Sequence, residues 1–202
     1  VWSERKRKKK MLGSQQAQRT CQEGDCVILY SGHDRVHSVL LKQGEVFNHK
    51  YGCFKHNDII GKPYGSKISA YVKDRSRNRR VGYVQLLKVT PELWQAGPLV
   101  HRTQIIYSLD LSVITSFLEL TPGKVVVESG TGSGALSVGI ARCISAGGPE
   151  NPFNGKLHTF EFHPVRAEGA REMFETLQLS HIVNVTHRDV CEEGFSLGNE
   201  AA

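Results

Sequence analysis

No run in the 202-residue sequence is apolar enough for long enough to cross a membrane, which excludes a transmembrane helix. No apolar stretch follows the basic N-terminus, so it does not read as a secretory signal. There is no Cys-x-x-Cys pair and no His cluster to complete a zinc site. The five cysteines, Cys21, Cys26, Cys53, Cys143 and Cys191, are odd in number and read as free thiols in a reducing compartment. No metal site is expected, and no internal repeat is visible. Net charge is also scarce once it is located. Of the formal +6, the first ten residues carry +5, leaving +1 for the other 192. The run Arg5, Lys6, Arg7, Lys8, Lys9, Lys10 is therefore a tail and not a binding face. It fits nuclear import or nonspecific nucleic-acid contact, and equally a solvated tail or translated leader. The first residue is Val1, which reads as a fragment or as an uncertain start at or before Met11.

What remains is ordinary for a globular chain, with 39% hydrophobic and 23% charged residues. Residues 1–20 read as a basic disordered tail. Residues 21–100 read as a small all-β, barrel-like domain. Its segments "DCVILYS", "VHSVLLKQ", "KISAYVK" and "VGYVQLLKV" are rich in β-branched and aromatic residues, and Gly/Asn stretches such as "FNHKYGC" separate them. Residues 73–80, "KDRSRNRR", form a cationic loop suited to phosphate contact or simply to solvent. Pro91 and Pro98 make the connection irregular, with Trp94 as a packing anchor between domains.

Residues 101–202 read as α/β. Leu111, Ile114, Phe117 and Leu118 stripe a helix, and residues 125–127 form a buried strand. Leu136, Ile140, Cys143 and Ile144 stripe the next helix. "KLHTFEF" is a second strand, Ala167, Ala170, Met173, Phe174 and Leu177 stripe another helix, and "IVNVTH" is a third strand. Alternating β and α at this spacing predicts a parallel sheet with helical crossovers. Three strands are the first half of a doubly wound, Rossmann-like sheet, with the rest lying beyond the sequence.

The chemistry sits in "VVVESGTGSGALSVGIA", where a strand ends at Glu128 and glycines recur at 130, 132 and 134. Such a turn permits positive φ and lets a ligand approach the backbone, and the helix start that follows favours an anionic or polar group. Gly130, Gly132 and Ala135 fit a dinucleotide pattern, whereas Gly130, Gly132 and Gly134 fit an S-adenosylmethionine pattern. Glycines used only for close packing are the plainer alternative. The neighbouring acids discriminate. Glu128 is placed to hydrogen-bond the methionine end of S-adenosylmethionine through the turn. Glu161 ends the second strand, where an acid accepts ribose hydroxyls of either ligand. Asp189 follows the third strand, where it can accept an adenine amine. Together the three favour S-adenosylmethionine, although each alone could be a solvated strand-end acid.

At these residues the sequence resembles a known family. "PELW", "HRTQIIYSLD", "ESGTGSGALS", "LHTFEFHPVRAEGAREMF" and "RDVC" resemble the catalytic subunit of tRNA (adenine-58-N1)-methyltransferases, and "EGDCVILYSGH" and "IIGKPYGSKI" resemble its N-terminal β domain. The resemblance spans about residues 23–195. It implies a small β domain followed by a Rossmann-like methyltransferase domain, truncated here before the fourth strand. It implies cofactor contacts at Ile106, Gly130, Ser133, Gly134, Ala135, Glu161, Arg166, Asp189 and Val190, alongside Glu128 and Gly132 of the turn. It implies tRNA contacts at Ser31, Gly32, His33, Gln104, Ile105, Tyr107 and Ser108. A nuclear heterotetramer with a non-catalytic paralogous subunit is the implied assembly. The family's catalytic Asp falls on the fourth strand, beyond Ala202, so the chain alone is expected to be inactive.

The implied reaction is attack of adenine N1 on the activated methyl of S-adenosylmethionine, with the base drawn out of its pairing. His101 and Arg102 are the remaining candidates for orienting the substrate, although His101 reads slightly better as a hydrogen-bonded interdomain histidine; His101, His163 and the partner subunit are the first places to look for a base contact should the chain itself show turnover. Two other classes stay in view. One is a non-catalytic RNA-binding or assembly subunit. The other is an NAD-dependent oxidoreductase, supported only by the shared glycine turn.

Overall fold

The computed structural model describes residues 19–32, 35–71 and 82–197. The basic tail, His33, the cationic loop at 73–80 and the last five residues lie outside the described residues.

Among the described residues six strands build the first domain: β1 (Cys26–Tyr30), β2 (Val36–Leu40), β3 (Val46–His49), β4 (Gly52–Lys55), β5 (Lys67–Ser69) and β6 (Tyr83–Lys88). Four of them pair antiparallel in the order β2-β1-β6-β5, and β3 pairs with β4. A bridge between Cys53 and Tyr71 joins β4 to the end of β5. The His37 ring reaches Phe47 and His49 of β3, with centroids 5.5 and 5.1 Å apart. The curl thus returns to its starting strand as a barrel. Alternation decides what fills it: Val27, Leu29, Val39, Phe54, Ile68, Val84 and Leu86 all point into one buried cluster.

The β3–β4 hairpin lies partly within the stretch read as a separator, and the short helix α1 (His56–Ile59) directly follows it. Asn48, His49, Lys50 and Gly52 have weak strand propensity. What makes the segment a strand pair is Phe47 opposite Phe54, which completes the barrel filling.

The second domain begins earlier than residue 101. Helix α2 (Pro91–Ala96) starts at Pro91, with the Thr90 hydroxyl accepting from the Leu93 N–H at 3.3 Å. Trp94, Leu99 and Ile105 belong to the core of the parallel sheet, not to the barrel. The boundary therefore falls near Thr90, because the apolar residues after it pack onto helix α4. A small residue also makes the domain contact, since a Cβ on Gly97 would collide with Val36 of β2.

The parallel sheet has the order β7-β8-β9, from β7 (Val125–Ser129), β8 (Lys156–Glu161) and β9 (Val183–His187). Helices α3 (Ser108–Phe117), α4 (Ala135–Ile144) and α5 (Pro164–Thr176) pack around it, and α6 (Val190–Glu193) follows β9. Gly139 of α4 permits close approach of Leu111, which is the buried residue of α3.

Successive right-handed crossovers put α4 and α5 on the same face of the sheet. On that face Val126, Leu157, Val183 and Val185 pack into the core. The opposite face is uncovered among the described residues near β7, where Val125 is 64% and Val127 46% exposed. This corrects the expectation of a fully buried strand. Phe117 and Leu118, expected within an apolar stripe, are likewise exposed.

Candidate functional site

Residues at the carboxyl ends of β7, β8 and β9 line an open crevice of about 480 Å³, which includes Gly130, Gly132, Glu161, Arg166, Asp189 and Val190. This is where a parallel sheet offers strand ends and helix amides to a ligand. The turn that forms its floor is pinned from below, as Gly130 N–H and Thr131 N–H both donate to the Phe160 carbonyl at 2.8 and 3.2 Å. The glycines at 130, 132 and 134 all adopt left-handed φ of +87°, +56° and +79°. Their surroundings differ. A Cβ on Gly134 would push the flexible end of Met173 aside and touch Phe174 of α5 at ordinary contact distance, and one on Gly132 would strike Thr103, whereas one on Gly130 meets nothing within 4 Å. Gly134 serves packing, and Gly130 keeps the crevice open.

Glu161 organises the site. Its Oε2 accepts the Gly132 N–H at 2.8 Å, and its Oε1 accepts the His163 N–H at 3.0 Å and the Arg166 guanidinium at 2.6 and 2.9 Å. The residue is 2% exposed. Burial alone would raise its pKa, but the bonds from Arg166, His163 and Gly132 together hold it below the ordinary carboxylate value. A carboxylate oxygen has two acceptor directions, so Oε2 retains capacity for a ligand hydroxyl. Asp189 caps α6 by accepting the Cys191 N–H at 2.9 Å through Oδ1, which leaves Oδ2 for a ligand donor.

Glu128 differs from expectation. It lies beneath the turn, 9% exposed, and accepts the Ser137 hydroxyl of α4 at 2.6 Å instead of lining the crevice. Burial pushes its pKa up, with the Ser137 and Thr159 hydroxyls opposing. A raised folded-state pKa means that the unfolded chain ionises first as pH rises. Glu128 therefore withdraws stability as pH climbs from about 4.3, its unfolded value, through the folded value. Glu128→Gln should flatten this part of the pH dependence, so that urea midpoints of variant and wild type converge at low pH and diverge above it. Parallel curves across pH 4–8 would show that the carboxyl is not the titrating group.

Ser133, 2% exposed, ties the preceding segment to the turn. Its hydroxyl oxygen accepts the Arg102 and Thr103 N–H groups at 2.9 and 3.0 Å, while the Arg102 guanidinium donates to the Gly169 carbonyl of α5 at 3.0 Å. Arg102 is therefore a structural clamp between turn and helix, a role that sequence reasoning missed. The presence of "HRTQ" ahead of "GTGSG" in the sequence is the signal available for it. Ser133→Ala should cost about 1–3 kcal/mol, because the Thr103 amide loses its acceptor while the Arg102 amide keeps only its bond to the Val100 carbonyl. Equilibrium urea denaturation measures this, and a loss below a few tenths would mean that water replaces the hydroxyl.

The other expected positions scatter. Ala135 opens α4 and is buried, and Ile106 is half-buried outside the crevice lining. Ile105 is 7% exposed in the core, which leaves only its backbone for a substrate. Gln104 and Tyr107 are exposed, and Ser108 donates to Gln95 of α2 at 2.9 Å. Ser31 and Gly32 lie on the barrel, away from the crevice, and line a separate cavity. His101 is exposed, and His163 contributes only its N–H to Glu161. Among the described residues, no three His, Cys, Asp or Glu side chains gather as metal ligands.

Comparison with known proteins agrees with this geometry. Residues 82–201 match the family model described as the tRNA methyltransferase complex GCD14 subunit, and residues 20–68 match a TrmI-like N-terminal model. The tRNA (adenine(58)-N(1))-methyltransferase catalytic subunit TRM61 of Kluyveromyces lactis is 42% identical over 182 residues, covering 89% of this chain and 41% of that protein. The trmt61a catalytic subunit of Dictyostelium discoideum is 44% identical over 174 residues, covering 86% of this chain and 51% of that protein. The tRNA (m1A58) methyltransferase TrmI of Aquifex aeolicus superposes with a TM-score of 0.59 at 25% identity, over 86% of this chain and 61% of that one. The chain thus spans about half the length of the curated relatives it matches. With its β barrel, its Rossmann-like half-sheet and a family match over most of its length, the chain belongs to the GCD14 subunit family of the tRNA methyltransferase complex.

Proposed function

We propose that this chain supplies the S-adenosylmethionine site and part of the RNA-binding surface of an enzyme that methylates N1 of adenine 58 in tRNA. The observation that carries the reading is Glu161, buried yet ionised at a strand end, with one oxygen tied to the glycine turn and capacity left for a ribose hydroxyl. The cofactor supplies a sulfonium-bound methyl that needs no further activation. The chain's residues hold and orient. Glu161 fixes the ribose and Asp189 accepts from the adenine amine. Gly130 gives backbone room, and Arg166 holds the Glu161 carboxylate in place. Clamping by Ser133 and Arg102 keeps residues 101–104 over the turn, at the edge where a flipped base would enter.

The names of the relatives support a tRNA substrate and a catalytic role within a multi-subunit enzyme. A heterotetramer with a non-catalytic paralogue is the assembly this reading entails. Nuclear import through residues 5–10 is the corresponding location, supported by the basic run alone. The direct test uses the full-length subunit with its paralogue and radiolabelled S-adenosylmethionine on tRNA. Methylation confined to N1 of adenine 58 is expected, and methylation of another atom or no transfer at all would refute the reading. With the present chain, S-adenosylhomocysteine and not NAD should raise the melting temperature.

A further inference from the structure

We infer that Glu128 positions the glycine turn without touching the ligand, by setting the direction of a buried chain of hydroxyls that ends at Thr131. The inference rests on the cofactor reading of the crevice and deepens it, by naming a positioning residue for that site.

Four polar side chains lie under the turn, none more than 9% exposed: Glu128, Thr131, Ser137 and Thr159. Each comes from a different element. Glu128 is near the end of β7, Thr131 sits between the first two glycines, Ser137 is in the first turn of α4, and Thr159 is on β8. Strand alternation brings them together. Thr159 stands opposite Glu128 in the β7–β8 ladder, on the face that carries Val126 and Leu157 into the core. Ser137 Oγ donates to Glu128 Oε2 at 2.6 Å. The Thr131 and Thr159 hydroxyl oxygens are 2.7 Å apart. The Thr159 hydroxyl also lowers the Glu128 pKa, as a donor to a carboxylate does. The contacts therefore run from Ser137 through Glu128 and Thr159 to Thr131.

Counting protons fixes their directions. A hydroxyl has one proton to donate, and an ionised carboxylate has none. With Glu128 ionised, Ser137 and Thr159 both donate to it, and Thr131 donates to Thr159. Three protons make three bonds. With Glu128 protonated, four protons share the same three contacts. The carboxyl proton turns to Thr159, the Thr159 proton turns to Thr131, and the Thr131 proton is left without an acceptor in the chain. A buried donor in that state is costly.

Thr131 is where the chain reaches the turn. Its N–H donates to the Phe160 carbonyl at 3.2 Å, and its carbonyl accepts the Gly134 N–H at 2.8 Å. The next amide, that of Gly132, donates to Glu161. A Thr131 that must turn its hydroxyl elsewhere disturbs all three bonds. The groups that face Glu128 are uncharged, Ser137 from α4 and Thr159 from β8. Glu161, Arg166, Arg188 and Asp189 line the crevice instead, and burial and the two hydroxyls alone set the Glu128 carboxyl. The ionisation that withdraws stability is thus the one that orders the turn.

The test is isothermal titration of the full chain with S-adenosylhomocysteine across pH 4–8. The folded-state pKa of Glu128 is raised, so the wild type should bind on the order of tenfold more weakly as pH falls through it, about 1.4 kcal/mol for one unpaired buried donor. Glu128→Gln carries amide protons at every pH. It should bind on the order of tenfold more weakly than wild type at the alkaline end and match it at the acid end, a ratio from which titration of the crevice acids and of the ligand cancels. Thr131→Val should bind weakly at every pH in the range, and Thr131→Ser should restore both affinity and pH profile. Amide exchange at Gly130 and Gly134, measured without ligand, should be faster in Glu128→Gln than in wild type at neutral pH. A ratio that stays constant with pH overturns the inference, as does a serine variant no better than the valine one. If the wild type binds no S-adenosylhomocysteine, the cofactor reading falls and amide exchange decides the hydroxyl chain by itself: faster exchange in Glu128→Gln sustains it, and equal exchange overturns it.

Discussion

Replacing Glu161 by alanine is expected to abolish measurable binding of S-adenosylhomocysteine at micromolar protein concentrations. In the proposed cofactor site the carboxylate accepts from the ribose, and in the structure it fixes Gly132 and Arg166. Its removal leaves the Arg166 charge without its partner, in a pair whose acid side chain is 3% exposed. Losing charged hydrogen bonds of this kind costs about 1.5–3 kcal/mol each, so a thirty- to thousandfold loss of affinity is expected, about 2–4 kcal/mol. Asp189→Ala should cost less, about 0.5–1.5 kcal/mol, because that side chain is half-buried and one oxygen is already used in capping. Stability should respond as well. The folded-state pKa of Glu161 is depressed, so its contribution is present above about 4.3, the unfolded value, and is lost as pH falls through the lower folded value. The stability gap between wild type and Glu161→Ala should therefore close in acid. Isothermal titration and pH-resolved urea curves measure the two effects. An unchanged dissociation constant would remove Glu161 from the cofactor site.

The second large effect should separate two glycines that look alike in sequence. Gly134→Ala forces a side chain into left-handed φ at a cost of about 1–2 kcal/mol and pushes aside the flexible end of Met173. Because that methyl can swing away, the strain is the main cost, set against the roughly 5–15 kcal/mol a domain has to lose. Gly130→Ala carries the strain without displacing a neighbour, because nothing lies within 4 Å of its added methyl. It should fold and lose ligand affinity, since the methyl enters the crevice. Thermal melts with and without S-adenosylhomocysteine distinguish the two. Both should melt somewhat below wild type from the strain, Gly134→Ala with its ligand response kept and Gly130→Ala with the response gone. The reverse pattern would mean that the packing and ligand faces of the turn are exchanged.

The crevice was legible because strand ends, glycines and acids follow one another locally in the sequence. Glu161 and Asp189 are both found in its lining. Glu128 was not placed correctly, because alternation along β7 decides its direction, and that points it under α4 onto Ser137. The burial of β7 was overestimated for a related reason. An apolar strand reads as covered on both faces, but coverage depends on elements packed from elsewhere, and Val125 and Val127 have none on their side among the described residues. The β3–β4 hairpin was hidden by its polar residues and betrayed only by Phe47 and Phe54, whose partners are distant in sequence. The domain boundary moved for the same cause, since Trp94 and Leu99 declare their domain only through contacts beyond residue 130.

The strand order of the barrel has a consequence for how the chain is made. β6 lies between β1 and β5 in the sheet, although it leaves the ribosome last of the six. The β1–β2 and β3–β4 hairpins can form as they emerge, but β1 keeps a free edge and β5 has no ladder partner until residues 83–88 arrive. Barrel closure is therefore a single late event during synthesis, in which one strand docks between two waiting edges and completes both ladders. Helix α2, which opens the second domain, begins only three residues later, but its core partners lie beyond residue 130. Joining of the domains therefore waits for α4, and a nascent chain halted before Lys88 should expose two unpaired edges to chaperones.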